Sequence, residues 1–536
     1  MQIVTVDRAV NLVQSGDTIL IGGSGGGHAV PEALIAGLEW RFLESGEPQQ
    51  ITLLHPVGLG DMADQGVGRL AHPTLVKRII TGALVNTPGI AELARQDLVE
   101  AYTLPQGALS QLMREMASGR PGLISHVGLH TFVDPRYGGG RQSASAKEDL
   151  VELVNLAGKE WLFYKPIEVD IAFLRGTTAD EDGNVTMEQE AVFGEMLSMA
   201  QATRRCGGVV IAQVARIASR GTLTPKQVKI PGMLVDLVVV DPEQRQTYLT
   251  QYSPAYAGEL RVPLSEISPL PFDARKVIVR RAALELYPMA VCNLGAGIST
   301  GIASLAAEEG FLDQIVLTNE QGLIGGAPAA GVDAGAAVNY SAMIDQPYQF
   351  DFYDGGGLDL AFLSFAQADA EGSVNVSRFN TRIIGVGGFQ HIAQNAKKVI
   401  FSGTFTAGGL DIHWYGGQTT INQEGKYPKF VTELEQISYN GKFAAEQGQE
   451  ALFVTERAVF RLEPGGLVLI EAAPGINVER DILAHMGFRP IISPELRQMD
   501  ARLFHPEPMR LGDEILKRPR ANIPARLRDG EVFVNG

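Results

Sequence analysis

Two cysteines in 536 residues, Cys206 and Cys292, supply neither a disulfide framework nor a thiolate metal site. The nine histidines contain no HExxH motif and no close pair. His28 lies in a glycine loop, and His126 and His130 stand near a predicted helix end, so no metal is expected. Apolar runs long enough to span a bilayer are absent, which excludes a membrane-spanning reading. Positive charge is scarce as well. The net charge is −16 with no polybasic stretch, which argues against a nucleic-acid partner and leaves any anionic ligand to local donors. Met1-Gln2-Ile3-Val4 runs straight into an Asp7-led helical pattern with no signal-peptide signature, so a cytoplasmic location is expected.

Complete cofactor fingerprints are missing too. Gly23-Ser24-Gly25 meets His28 where G-x-G-x-x-G needs glycine, Gly295-Ala296-Gly297 meets Thr300, and Gly385-Val386-Gly387 meets Gln390. A nicotinamide enzyme of the common type is therefore disfavoured. Gly22-Gly23-Ser24-Gly25-Gly26 fits G-x-S-x-G, but no strand-elbow partner Asp and His can be picked out after it, so a serine hydrolase is disfavoured.

What is present is glycine, 61 residues of it, gathered in clusters within an ordinary globular composition of 45% hydrophobic and 20% charged residues. The length calls for two or more domains. A helix capped by Asp7 is followed by a strand at 18–21 that empties into the loop 22–28, and Pro31 opens the next helix. Strands at 51–54 and 78–80 continue an alternation that predicts a mainly parallel α/β sheet. Leu104-Pro105-Gln106-Gly107 reads as a fixed turn carrying an amide donor, ahead of a helix at 109–116.

Composition breaks at Ser268-Pro269-Leu270-Pro271, and the chain beyond it repeats the pattern of the first residues. Asp273 caps a helix, a strand covers 290–292, and Asn293-Leu294-Gly295-Ala296-Gly297 comes next. Phe173-Leu174 and Ala179-Asp180 recur at one offset as Phe362-Leu363 and Ala368-Asp369. With one gap, 209–211 matches 399–401, and Asp134 with Gly138–Gly140 echoes Asp351 with Gly355–Gly357. These matches predict two related open α/β domains, with the active site at their interface. The boundaries read as 1–267, a linker at 268–272, 273–518, and a tail at 519–536.

One stretch carries chemistry more clearly than the rest. Ile315-Val316-Leu317 predicts a buried strand that ends in Thr318-Asn319-Glu320-Gln321-Gly322. A carboxylate held at a strand end beside open glycine backbone is ionised at neutral pH, needs no base, and can attack a thioester carbonyl. A surface Glu in an ordinary turn would look the same locally. Gly387-Gly388-Phe389 adds bare N–H groups suited to an oxyanion.

Taken together, these motifs resemble the family I CoA-transferases, most nearly the single-chain acetate and propionate enzymes that fuse the family's α and β halves. The resemblance covers nearly the whole chain. It rests on Thr318–Gly322 with Gly325-Gly326-Ala327-Pro328, and on Asp345-Gln346-Pro347-Tyr348 running to Gly357. Gly387-Gly388-Phe389, Gly403–Gly409, Ala473-Pro474-Gly475-Ile476, the opening glycine loop and Leu104–Gly107 extend it. It implies a Glu320 nucleophile, with Gln106 and Gly388 as the donors to the thioester carbonyl.

Gly25, Gly26, Asn293, Gly295, Gly297, Gly322, Gly387 and Gly408 would line the CoA and substrate path, with Arg378, Lys397 and Lys398 as candidates for the phosphates. Coenzyme A is then a substrate with no permanently bound cofactor. The partners are acyl-CoA and small carboxylic acids, and the protein is a homo-oligomer, the tetramer being common in the family. A thioester hydrolase using the same glutamate and a non-catalytic metabolite-binding module are the competing readings.

Overall fold

The computed structural model describes residues 1–379 and 381–520. Two large sheets organise it. The first contains β1 (Gln2–Val4), β2 (Thr18–Ile21), β3 (Ile51–His55), β4 (Val76–Thr81), β5 (Glu100–Thr103), β6 (Ile171–Arg175), β7 (Val209–Val214) and β8 (Leu237–Val240). Its eight strands run in the order β1-β8-β7-β6-β2-β3-β4-β5, and every pairing is parallel. The second contains β9 (Val291–Leu294), β10 (Val316–Thr318), β11 (Leu323–Ile324), β12 (Ala342–Met343), β13 (Leu360–Ser364), β14 (Lys398–Ser402), β15 (Glu450–Val454), β16 (Ala458–Glu463), β17 (Gly466–Ala472) and β18 (Ile491–Gln498). Its order is β12-β11-β10-β9-β13-β14-β15-β16-β17-β18.

The internal repeat is visible in this topology. The run β8-β7-β6-β2-β3 in the first sheet and the run β15-β14-β13-β9-β10 in the second have the same order, all parallel. Phe173 and Phe362 occupy matching strands, as do Ile211 and Phe401. Strands buried on both faces read as apolar runs, and alternate residues feed opposite cores. Ile19 and Ile21 pack on one side of the first sheet and Leu20 on the other. Leu360 and Phe362 divide from Ala361 and Leu363 in the same way.

The helices that matter for the site are α1 (Val6–Val10), α2 (Glu32–Ser45), α3 (Pro88–Arg95), α4 (Gln106–Ala117), α5 (Met196–Arg205), α6 (Ala274–Ala283), α7 (Gly301–Glu308), α8 (Gln346–Asp354) and α9 (Phe389–Asn395). Asp273 caps α6 as expected, its carboxylate accepting from Lys276 N. The cap of α1 is Thr5 rather than Asp7, because the Thr5 hydroxyl is the group that reaches Arg8 N. The Asp134–Asp351 echo is compositional only. Asp134 caps a short 3-10 turn, whereas Asp351 lies inside α8.

Contacts between the sequence halves are intimate. Gln111 Nε2 on α4 donates to Asp354 at 2.8 Å, and Arg114 forms a two-pronged ion pair with Asp351 at 2.6 and 2.7 Å. Gly387 N donates to Gly82 O at 2.8 Å, and Leu84 N donates to Ile384 O at 2.8 Å. One apolar core holds Leu109, Leu112 and Met113 together with Leu323 and Val386 from the other half. The exposed segment around Ser268 joins the halves, and the predicted tail falls almost wholly on 521–536, outside the described residues.

Candidate active site

β10 ends at Thr318, and Glu320 lies in the turn that leads back into β11. Asn319 locks this turn: its N–H donates to Leu323 O at 3.1 Å, its Oδ1 accepts from Leu323 N at 3.1 Å, and its Nδ2 donates to Gly335 O at 2.8 Å. Gly322 completes it with φ +102°, and a Cβ there would fall on the Ile344 carbonyl oxygen.

A buried hydrogen-bonded frame holds the strand end from below. The Tyr353 hydroxyl donates to Thr318 Oγ1 at 2.9 Å, and Thr318 Oγ1 donates to Cys292 O at 2.9 Å. Asn293 Nδ2 reaches Tyr353 Oη at 3.3 Å and Thr318 O at 3.4 Å. Asn293 is thus fully buried and braces the strand beneath the carboxylate.

Glu320 keeps partial access to solvent but is surrounded by protein. Burial pushes its carboxyl above the usual range, while hydrogen bonding from Asn293 and Gln321 pulls it back. Gln321 Nε2 lies 3.4 Å from Glu320 Oε1. The Glu320 methylenes lean on Gly388: a Cβ at Gly388 would stand 3.3 Å from Glu320 Cγ and 3.4 Å from its Cβ. Gly388 is the residue just before α9. The preceding residue touches the other half, since a Cβ at Gly387 would lie 3.5 Å from Gln106 Oε1, and Gln106 N donates to Gly387 O at 2.9 Å. Two consecutive glycines therefore bridge Glu320 and Gln106. Among the described residues the Gly388 N–H donates to no backbone acceptor.

Gln106 is the first residue of α4, not part of a turn ahead of it, and it is buried. Its Nε2 donates to Gln346 Oε1 at 3.1 Å. Gln346 Nε2 in turn donates to Glu195 Oε2 at 2.6 Å, which also accepts from the Ser110 hydroxyl at 2.8 Å. Gln346 belongs to the Asp345–Gly357 motif, but nothing in that motif's sequence marks it for a role. Glu195 carries no local signal, because it meets the others only through tertiary packing.

The remaining predicted residues divide. Gly25 and Gly26 come to the segment beyond Glu320: a Cβ on Gly25 would lie 3.5 Å from Ala334 O, and one on Gly26 would strike Val332 O. His28, buried beside them, has its Nε2 3.1 Å from Ala334 O. His126 Nε2 is 2.6 Å from Asn395 Oδ1, and His130 lies 4.3 Å from the Phe443 ring. Gly295 and Gly297 come after β9 and pack against Leu363 and Ser364, while Gly408 rests on Tyr427 in a separate loop.

Lys397 is paired with Asp359 at 2.7 Å, and Lys398 with Glu285 at 2.9 Å and Glu450 at 3.2 Å. Arg378 Nη1 reaches Gln142 O at 3.5 Å. Among the described residues, no group of His, Cys, Asp and Glu is arranged to hold a metal ion, and no helix is long and apolar enough to cross a membrane.

A half-buried carboxylate on a braced strand end, packed on the glycine that precedes α9 and close to Gln106 from the other half of the chain, is the site that the doubled α/β fold presents. Residues 3–241 match the coenzyme A transferase family model. The acetate CoA-transferase YdiF of Escherichia coli K12 is 45% identical over 503 residues, covering 94% of this chain and 95% of that one. The caffeate CoA-transferase of Acetobacterium woodii is 43% identical over 509 residues, 94% of this chain and 97% of that one. The crystal structure of the acyl-CoA transferase YdiF from E. coli O157:H7 in a thioester complex with CoA superposes at a TM-score of 0.91 and 43% identity, covering 95% of this chain and 97% of that chain. The chain belongs to the coenzyme A transferase family and is a CoA-transferase.

Proposed function

We propose that the protein transfers CoA from a short-chain acyl-CoA to a free short-chain carboxylate by a ping-pong route through a glutamyl-CoA thioester at Glu320. The observation that carries this reading is the seat of Glu320 on Gly388, with Gln106 held against the adjoining Gly387. Glu320 Oε attacks the acyl carbonyl carbon and the C–S bond breaks, giving a mixed anhydride and CoA thiolate. The thiolate attacks the glutamyl carbonyl carbon, the bond from that carbon to the bridging oxygen breaks, and the acyl group leaves with that oxygen as its carboxylate. A second carboxylate attacks glutamyl-CoA and the steps run in reverse, so no proton or water is consumed.

Each tetrahedral intermediate carries an oxyanion facing the Gly388 N–H and the Gln106 Nε2–H. Loss of one such donor costs on the order of 10²–10³ in rate. Asn293 supports the nucleophile from within the fold. Gly25 and Gly26 shape the wall beyond it. Gly322 shapes its turn, and Gly295, Gly297 and Gly408 pack on Leu363, Ser364 and Tyr427 instead. The similarity to an acetate CoA-transferase supports a short acid. A homo-oligomer is part of the proposal.

Glu320→Ala should abolish transfer between acetyl-CoA and propionate. Borohydride reduction after acyl-CoA addition should modify Glu320 alone, read by peptide mass spectrometry. Full activity in Glu320→Ala, or a label elsewhere, would remove the mechanism.

A further inference from the structure

We infer that Glu195 is a positioning residue for the acyl-transfer site, fixing the orientation of the Gln106 amide through Gln346. The inference rests on the reading of Gln106 as an oxyanion donor. The residues come from three helices packed together: Gln106 and Ser110 from α4, Glu195 at the cap of α5, and Gln346 at the start of α8. All four are buried.

The hydrogen-bond directions are fixed one by another. Burial pushes the Glu195 carboxyl up to about 7, but Oε2 accepts from Ser110 and any proton belongs on the unpartnered Oε1, so the Gln346 group 2.6 Å from Oε2 must be its NH₂. Gln346 then turns its carbonyl oxygen toward Gln106, and that oxygen also only accepts. The Gln106 group facing it at 3.1 Å must therefore be NH₂, with Oε1 on the side of Gly387 and the second Nε2–H assigned to substrate in the reading on which this inference stands. A flipped Gln106 would set carbonyl oxygen against carbonyl oxygen at Gln346, so the relay holds one orientation of the amide. The Gln346 N–H, bonded to Gly194 O at 2.9 Å, and the Ser110 hydroxyl, bonded to Glu195 Oε2 at 2.8 Å, hold the relay in place. No other side chain among the described residues reaches Glu195 Oε1.

An amide at 195 could still place its carbonyl at the Oε2 position, with its NH₂ where Oε1 stands. Direction would be preserved without charge. The relay therefore predicts a sharp difference between two substitutions at one site.

The test is steady-state transfer from acetyl-CoA to propionate by the full-length protein carrying Q106A, E195A, E195Q, and E195A with Q106A. E195A should lower kcat about 10- to 100-fold with the KM for acetyl-CoA within about twofold, the signature of a misaligned donor. E195Q should stay within about threefold of the parent, and the double variant should fall no further than Q106A alone. The inference is overturned if E195A keeps parental kcat while Q106A loses activity, if the two losses multiply, or if E195Q is as impaired as E195A. Parental kcat in Q106A would instead remove the oxyanion role of Gln106, on which this inference stands. Should E195A fail to fold, Gln346→Met cuts the same relay one link nearer Gln106 and carries the same outcomes.

Discussion

Glu320 must be ionised to attack, yet burial favours its neutral form. Its folded pKa lies above its unfolded one, so the stability it contributes is complete below the unfolded value and is lost as pH rises through the folded value. Glu320→Gln carries no such penalty. Its melting temperature should therefore exceed that of the parent at pH 8, and the gap should close as pH falls toward 4, as measured by a thermal scan at each pH. Transfer should have the opposite dependence, with kcat/KM falling as pH drops through the raised pKa of Glu320. Shortening the side chain tests reach rather than charge: Glu320→Asp should leave only a trace of activity. Gly388 has an ordinary φ of −79°, so alanine fits its backbone, but the new methyl would press on Glu320 Cγ at 3.3 Å. Gly388→Ala should lower kcat by about 10-fold or more with the fold retained, measured by transfer rate beside circular dichroism.

At the scale of elements, α4 and α8 cross at Gly107, where a Cβ would stand 2.5 Å from the Phe350 ring and 2.7 Å from His391 Cε1. Gly107→Ala should force the helices apart, costing about 1–3 kcal/mol in urea unfolding and lowering kcat through the displaced neighbour Gln106. The sequence showed why a glycine stands there only in part. Pro105-Gln106-Gly107 has the look of a turn, because proline and glycine are poor helix residues, and only packing on Phe350 makes that glycine part of a helix. The repeat was legible because buried parallel strands leave dense apolar runs at a fixed offset. Glu320 was legible because a strand, a carboxylate and a glycine turn are adjacent in the chain. Glu195 and Gln346 were not, since residues 151 positions apart meet at 2.6 Å only once three helices are assembled. Lys397 and Lys398 were candidates for phosphate contacts by charge alone, and their acidic partners were invisible until the fold placed them.

At the scale of the molecule, we propose 1–267 and 273–518 as the folding units, with 268–272 as the exposed join. Extensive contacts between the halves, including Arg114 with Asp351 and the Gly387–Gly82 hydrogen bond, should hold them together without a covalent link. Co-expression of 1–267 and 273–536 as two chains should yield a complex that co-purifies and keeps kcat within about threefold, while each half alone is inactive. Failure to co-purify would show that the join itself organises the interface.

α4 has a further consequence for biosynthesis. It is buried along nearly its whole length, from Gln106 through Met113, and α8 from the second half supplies part of its cover. A ribosome adding about 5–20 residues per second needs tens of seconds between completing one helix and completing the other. Throughout that interval Leu109, Leu112 and Met113 lack part of the core they finally share. Until α8 leaves the exit tunnel, that face of α4 stays uncovered, the kind of transiently exposed apolar surface that favours aggregation.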